Sequence, residues 1–359
     1  MELSIVIPTY NEAENIASLI EAVTRYIDAS KHEIILVDDN SPDNTWLQAL
    51  RLIPQLQTNI VVMRRIGIKG LSTAIIDGIV ISEGEYALVM DADLQHPPEY
   101  IPSLLQSAKS RNADIVIGSR YTKGGGVEGW PKLRLLISKT ASLIAKLLLP
   151  EARKLSDPMS GFFLVKRYVV LQNRKQLSPK GFKVLLEILV KCKYERVVEV
   201  PYVFRSRLRG YSKLGYKQIL LYLLHILNLC RWRPFKFALV GAGGTLVNLG
   251  MLFVLGLIAP SLINEFFIVG SALAIEVSTL FNFILHDIWT FRDRRHGSIA
   301  RRLILFHFAV IPAVITQYGI ANFLKYFLNF NPFLSQFTGI LLGFIVNYLL
   351  SELGVWRKR

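Results

Sequence analysis

The run VMDADLQHPP from Val89 ends an apolar stretch on two carboxylates one residue apart, followed by a side-chain amide, a histidine and two prolines. Asp91 and Asp93 stand at alternate positions, as residues on one face of a strand do, so a turn here brings both into one space. Carboxylates and an amide oxygen such as that of Gln95 are hard ligands, suited to Mg²⁺ or Mn²⁺ held jointly with substrate phosphates. A metal at this place would neutralise charge developing on a departing diphosphate. Aspartates in this pattern also end ordinary strands, as N-capping acids before a helix at Pro97, so neighbouring clusters must carry the case.

Those clusters follow short β-branched runs. SIVI from Ser4, EIILV from Glu33, IVVM from Ile60, YALVM from Tyr86 and DIVIG from Asp114 alternate with stretches of helical periodicity. That spacing predicts a parallel α/β sheet with covered faces, in which ligands bind beyond the carboxyl ends of the strands. Polar residues stand at those ends: Pro8, Tyr10, Asn11 and Glu12, then Asp38 and Asp39, then Asp91 to Gln95, then Arg120. Several clusters converge on one edge, as an active site requires.

The 359 residues are 52% hydrophobic with a net charge of +15. That is too apolar for a soluble enzyme, yet the N-terminal part reads as one, so two unlike regions are averaged. Past Phe235, four apolar stretches, 236–258, 263–285, 303–327 and 333–353, each reach the roughly 20 residues that a helix needs to cross the hydrocarbon core. Arg231 and Arg233 precede the first; Arg292, Arg294, Arg295, Arg301 and Arg302 fill the linker between the second and third; Arg357, Lys358 and Arg359 follow the fourth. The connection at 259–264 has no Lys or Arg, and that near Asn329 has only Lys325 at its edge. The positive-inside rule therefore predicts a multi-pass membrane protein with both termini, the central linker and the catalytic half in the cytoplasm. Basic residues gathered at membrane boundaries, and not on one aromatic-laced surface, argue against a nucleic-acid partner. Cys192 and Cys230 have no paired spacing, which fits a reducing compartment, and the opening MELSIVIPTYNE predicts no signal peptide.

Two further segments are amphipathic. From Lys132, KLRLLISKTASLIAKLLLP sets Lys132, Lys139 and Lys146 on one helical face, while Leu136, Leu143 and Leu147 belong to an apolar one. This segment and LGYKQILLYLLHILNLCRWR from Leu214 either lie along a membrane surface or cover the sheet. The spans also look duplicated: RWRPFKFALV from Arg231 aligns with RLILFHFAVI from Arg302, and FNFILHDIWTF from Phe281 with VNYLLSELGVW from Val346. Two hairpins related by an axis along the membrane normal would result. Glu276 lies in mid-span, where a carboxylate serves either transport or hydrogen-bonded packing.

Taken together, IPTYNEAENI from Ile7, VDDNSPDNTW from Val37, MDADLQHPPE from Met90, IGSRYTKGGGVEGW from Ile117, DPMSGFF from Asp157 and RLRGYSKL from Arg207 resemble the dolichol-phosphate mannosyltransferases of glycosyltransferase family 2. Residues 235–359 are similar to a GtrA-type membrane domain. The resemblance implies a GT-A, Rossmann-like α/β catalytic domain over 1–230, with interface helices about 132–150 and 214–230, and an all-α domain of four transmembrane helices over 231–359.

It also implies roles. Pro8, Tyr10, Glu12, Val37 and Asp39 would form the guanosine pocket for GDP-mannose, with Glu12 and Asp39 as acceptors. Asp91, Ala92, Asp93 and Gln95 would grip the diphosphate, with Asp91, Asp93 and Gln95 ligating Mg²⁺ or Mn²⁺. Arg120, Arg134, Arg207 and Lys213 would supply positive charge to the donor and to the phosphate of a dolichyl or other polyprenyl acceptor. Asp91, Asp93, Gln95, Arg120 and Arg207 form the catalytic set. A phosphate monoester, with a second pKa of roughly 6, attacks without a general base, and in-line attack on an α-linked donor predicts inversion. The alternatives are the same transfer from another donor such as UDP-glucose, and a lipid-linked sugar flippase in which the spans do the work. His96 reads as structural, and NLCRW before the first span as a coincidental likeness to a polysaccharide-synthase motif.

Overall fold

A computed structural model describes residues 1–56, 58–67, 69–177, 182–206, 215–261 and 265–357. Arg207 and Lys213, and the basic Lys358 and Arg359, lie outside the described residues. The chain divides into two units, Met1–Leu229 and Cys230–Arg359.

The first unit is built on a seven-stranded sheet. Its strands are β1 (Leu3–Thr9), β2 (His32–Asp38), β3 (Asn59–Arg64), β4 (Tyr86–Val89), β5 (Ile115–Ser119), β7 (Phe163–Lys166) and β8 (Val197–Pro201), in the order β3-β2-β1-β4-β7-β5-β8. A separate parallel pair joins β6 (Gly126–Val127) to β9 (Val203–Phe204). The expectation of an all-parallel sheet needs one correction: β7 runs antiparallel to both β4 and β5. The loop before β7 is tied to the strand-end edge through Asp157 and Arg120, so the strand must run away from that edge.

Every residue of β1 and β2 is buried, as expected of central strands covered on both faces. Side-chain alternation sends Ile5 and Ile7 to one core and Val6 and Val37 to the other. The first core is closed by α1 (Ala13–Thr24), through Ile16, Leu19, Ile20 and Val23 at helical spacing, and by α4 (Ile101–Ser110). The second is closed by α3 (Leu71–Ile81), α6 (Arg167–Asn173) and α7 (Val184–Lys191). Each fully buried Ile or Leu contributes about 1.5–3 kcal/mol. Helix α3 sits so close to the sheet that a Cβ at Gly78 would fall 2.4 Å from Val6 Cγ1. Helix α2 (Thr45–Leu52) packs against α1.

Helix α5 (Lys132–Leu148) does not cover the sheet. Leu133, Leu136 and Leu143 are 68%, 62% and 55% exposed, and only Ser142 and Ala145 are buried. In α8 (Tyr216–Leu229), Ile219, Leu220, Leu223 and Leu224 are likewise exposed, while the Tyr222 hydroxyl donates to the Ala141 carbonyl of α5. Two adjoining helices thus turn leucines outward.

The second unit contains α9 (Arg233–Ile258), α10 (Phe267–Leu285), α11 (Ile299–Tyr326) and α12 (Pro332–Leu350). Four segments in this unit are long and apolar enough to cross a membrane. Their outer faces carry exposed large residues such as Leu246, Phe253, Ile258 and Phe308, which suits a lipid solvent. The duplication is structural. Helices α10 and α12 both end in a π-helical turn, His286–Thr290 and Ser351–Val355, after which the Phe291 and Trp356 N–H groups donate to the carbonyls of His286 and Ser351. Buried Arg233, Phe237, Val240 and Gly244 of α9 match buried Arg302, Phe306, Ala309 and Ala313 of α11. Arg302 therefore corresponds to Arg233 and not to Arg231, because burial, which string similarity ignores, sets the register. Arg233 of the first hairpin pairs with Glu352 of the second, and Arg302 of the second with Asp287 of the first. Glu276 meets His307 of α11 at 3.2 Å.

Candidate active site

The register of β1 against β4 brings the two principal clusters together. Val89 pairs with Val6 and the Met90 N–H donates to the Val6 carbonyl, so Asp91 leaves the sheet beside Pro8. Residues 91–96 then close on themselves. Leu94 takes positive φ, the Asp91 N–H donates to His96 Nδ1 at 3.0 Å, and the Gln95 N–H donates to Asp93 Oδ1. Gln95 Nε2 donates to the Arg205 carbonyl, and the Arg205 N–H returns a bond to the Gln95 carbonyl. Neither aspartate caps a helix: the 3₁₀ turn Pro98–Tyr100 and α4 both start without a side-chain cap.

His96 is the support for this turn. Its ring is buried, stacked on Phe162 at 5.1 Å and edged by Tyr202 and Phe204. Burial pushes its pKa down to about 4 against the pull of Asp93, so at neutral pH the unprotonated Nδ1 can accept the Asp91 N–H. Gly161 lets the preceding loop lie against it, since a Cβ there would stand 3.3 Å from His96 Cε1. The outcome is an Asp91 carboxylate 40% exposed at the mouth of the site, with Ala92, Asp93 and Gln95 buried behind it.

The donor set fits a hard divalent ion only in part. Among the described residues no group of three His, Cys, Asp or Glu could hold a metal alone. Asp91, Asp93 and the Gln95 amide offer oxygens of the type a hard divalent ion takes, and with so few of them the shell would need substrate phosphates to complete it.

On the β1–β2 side the two adjacent aspartates differ. Asp38 is buried and accepts from the Thr9 and Ser41 hydroxyls and the Ser41 N–H, while Ser41 Oγ accepts the Asn11 N–H. Asp39 accepts Arg65 Nε at 2.7 Å and the Gly70 N–H at 2.7 Å, and Arg65 continues to Asp77 and Thr73. Asp39, expected to meet a base directly, thus also anchors Arg65 and Gly70; a carboxylate has about four acceptor positions, so this does not exhaust it. Tyr10 is exposed, with Lys69 Nζ 5.0 Å from its ring. Glu12 Oε2 accepts from Asn15, and its N–H donates to Thr45 Oγ1. The Val37 side chain is buried in the second core, so any contact it makes with a nucleotide is through the main chain.

On the other side of β4, Arg120 is buried and held by Asp157, with Nε to Oδ2 at 2.7 Å and Nη2 to Oδ1 at 2.8 Å. Burial works against the guanidinium charge, but Asp157 more than offsets it and holds the pKa above its ordinary range. Ser156 and Asp157 N–H groups donate in turn to Glu199 of β8. Arg120 is expected to supply positive charge to phosphate, and two of its three guanidinium nitrogens bond Asp157. Arg134 at the start of α5 lies over the Trp130 ring at 4.2 Å. Sequence reasoning missed Arg65, whose signal was the basic pair ending β3, and the partner role of Asp157, which lay inside a recognised motif.

The glycosyl transferase family 2 model matches residues 4–172, and that of the GtrA/DPMS transmembrane domain matches residues 236–356. The dolichol-phosphate mannosyltransferase of Pyrococcus furiosus is 43% identical over 361 residues, covering 99% of each chain. That of Saccharomyces cerevisiae is 37% identical over 64% of this chain and 87% of its own, and that of Mycosarcoma maydis 33% identical over 66% and 83%. Among solved structures, glucosyl-3-phosphoglycerate synthase from Mycobacterium tuberculosis, in complex with Mn²⁺ and UDP, aligns at a TM-score of 0.49 and 16% identity over 64% of this chain and 80% of that one. Identity along the whole chain, added to the ordered motifs and the four apolar helices, makes this a multi-pass membrane glycosyltransferase that belongs to the dolichol-phosphate mannosyltransferases.

Proposed function

We propose that the protein transfers mannose from GDP-mannose to dolichyl or a similar polyprenyl phosphate, with inversion, releasing dolichyl β-D-mannosyl phosphate and GDP. The observation that carries this reading is the turn from Asp91 to His96, which presents the Asp91 carboxylate beside the end of β1 with Asp93 and Gln95 directly behind it. Asp91, Asp93 and Gln95 would hold Mg²⁺ or Mn²⁺, which stabilises the negative charge left on a departing nucleoside diphosphate. Tyr10, Glu12 and Asp39 line the side of the site where the nucleoside would lie, with Pro8 and Val37 beneath it.

Two titratable groups next to the Asp91 turn are engaged and do not serve as general bases. His96 is buried with Nδ1 occupied, and Asp157 is closed by Arg120, so neither can deprotonate an alcohol. A phosphate monoester, already largely ionised at neutral pH, needs no such help. Its oxygen lone pair forms the bond to the anomeric carbon while the bond from that carbon to the diphosphate oxygen breaks and its electron pair leaves with GDP. The catalytic unit and both chain ends would face the cytoplasm, in keeping with the arginines before α9 and α11, and the leucines of α5 and α8 would seat the site at the lipid headgroups.

The test is transfer of label from GDP-mannose, with UDP-glucose in parallel, to a short polyprenyl phosphate by full-length protein in detergent. Extractable label from GDP-mannose alone, abolished by EDTA and restored by Mg²⁺ or Mn²⁺, is the expected result. Label from UDP-glucose alone would overturn the donor, and α-linked product would overturn the stereochemistry.

A further inference from the structure

Lys183 lies outside every motif singled out in the sequence, yet it stands among the groups of the site. It is the N-cap residue of α7, with no capping hydrogen bond from its side chain. Ser, Thr, Asp and Asn are favoured there, and a cation opposes the helix dipole, so local helix physics does not account for it. Its Nζ donates instead to the Met159 carbonyl at 3.0 Å, inside the loop that carries Asp157 and Gly161. It makes no ion pair among the described residues, although Arg120, Asp157 and Asp91 all act on its charge.

Sheet order divides the site at β4. Tyr10, Asp39 and Arg65 lie towards β1, β2 and β3; Arg120, Asp157 and Lys183 lie towards β7, β5 and β8. With the nucleoside over the first group, the second is left for the acceptor, whose phosphate brings a charge of about −1.5 to −2 at neutral pH. Asp157 already engages the Arg120 guanidinium twice and its main-chain N–H once. An ammonium has three donors, and Met159 takes one.

We propose that Lys183 binds the phosphate of the acceptor, donating its two remaining N–H groups to the monoester oxygens that do not attack. The inference rests on the acceptor reading above and adds the residue that holds the acceptor's charge on the β7 side of Asp91. Lys183 offsets the repulsion between the incoming monoester and the Asp91 and Asp93 carboxylates, and holds the attacking oxygen in place.

The experiment compares wild type, Lys183→Met and Lys183→Arg as full-length protein in detergent. It measures KM for a short-chain polyprenyl phosphate, affinity for GDP with Mn²⁺ by calorimetry, and the thermal midpoint. Lys183→Met should raise the acceptor KM about tenfold or more with GDP affinity within twofold of wild type, and Lys183→Arg should recover most of the loss. An unchanged acceptor KM overturns the assignment. So does an equal loss of GDP affinity, which would place the lysine on the donor diphosphate, or a lowered midpoint with both ligands affected alike, which would make it structural. Wild-type protein that labels no polyprenyl phosphate would overturn the proposed function and this inference together; wild-type turnover with an unshifted variant overturns the lysine alone.

Discussion

In the α/β unit, Arg120 closes on Asp157 and Arg65 on Asp39; in the membrane unit, Arg233 closes on Glu352 and Arg302 on Asp287. All four pairs are buried, and burying two charges is repaid only when geometry and further hydrogen bonds are good. The membrane pairs are saturated by their surroundings. Asp287 also accepts Trp356 Nε1, and Glu352 also accepts Arg294 and the Tyr348 hydroxyl. Each links one hairpin to the other. In the α/β unit each pair joins two loops at the sheet edge, and Asp157 lies in the loop whose Met159 carbonyl accepts the half-buried amine of Lys183. The same bond registers a repeat in one unit and shapes a site in the other, and location along the element decides which.

Substitutions can break that contrast. The largest effect is expected at Asp93: Asp93→Ala should lower transfer about 10²–10³-fold while the thermal midpoint stays near wild type. Retained activity would remove the metal reading. Next come the pairs themselves. Asp157→Ala leaves Arg120 buried without its carboxylate and should cost about 3–5 kcal/mol in denaturant unfolding, with transfer lost as well. Asp287→Ala should cost a similar amount yet leave transfer per folded molecule unchanged, and Asp287→Leu with Arg302→Leu should recover most of the stability. Loss of catalysis in the folded Asp287 variant would show that the membrane pairs also serve the chemistry.

A smaller effect is expected at His96. His96→Phe keeps an aromatic ring against Phe162 but leaves the Asp91 N–H without its acceptor, costing about 1–3 kcal/mol. Turnover should fall about tenfold or more through displacement of the Asp91 carboxylate, while GDP still binds. The smallest effect is one of pH. Burial and Arg120 push the pKa of Lys183 down to about 8, against Asp157 and Asp91, with His96 neutral beside it. The ammonium is present below that value and is lost as pH rises through it, so the acceptor KM should climb above about pH 8. Lys183→Arg should flatten that limb; an identical limb in the variant would assign it to another group.

Much of the site was legible because its residues follow β-strands. Once the runs from Ser4, Glu33 and Tyr86 are read as strands of one sheet, Pro8, Asp39 and Asp91 must share an edge. The antiparallel β7 was not legible: FLVK is four residues long, and short apolar runs carry no direction. Nor was Val37's place in the core, which depends on which face of β2 meets α3.

The four spans and the likeness of the two hairpins also follow from hydropathy and local similarity alone, since a helix in lipid satisfies its backbone within itself and declares its length in its composition. Partnership is different. That Asp39 would hold Arg65, that Arg120 would face Asp157 rather than solvent, that His96 would accept the Asp91 N–H and that Lys183 would stand near Asp157 depends on distances between residues 5 to 37 positions apart. Hydrogen bonds and ion pairs act only over a few ångströms, so residue type set what each group could do and the packed fold alone decided what it meets.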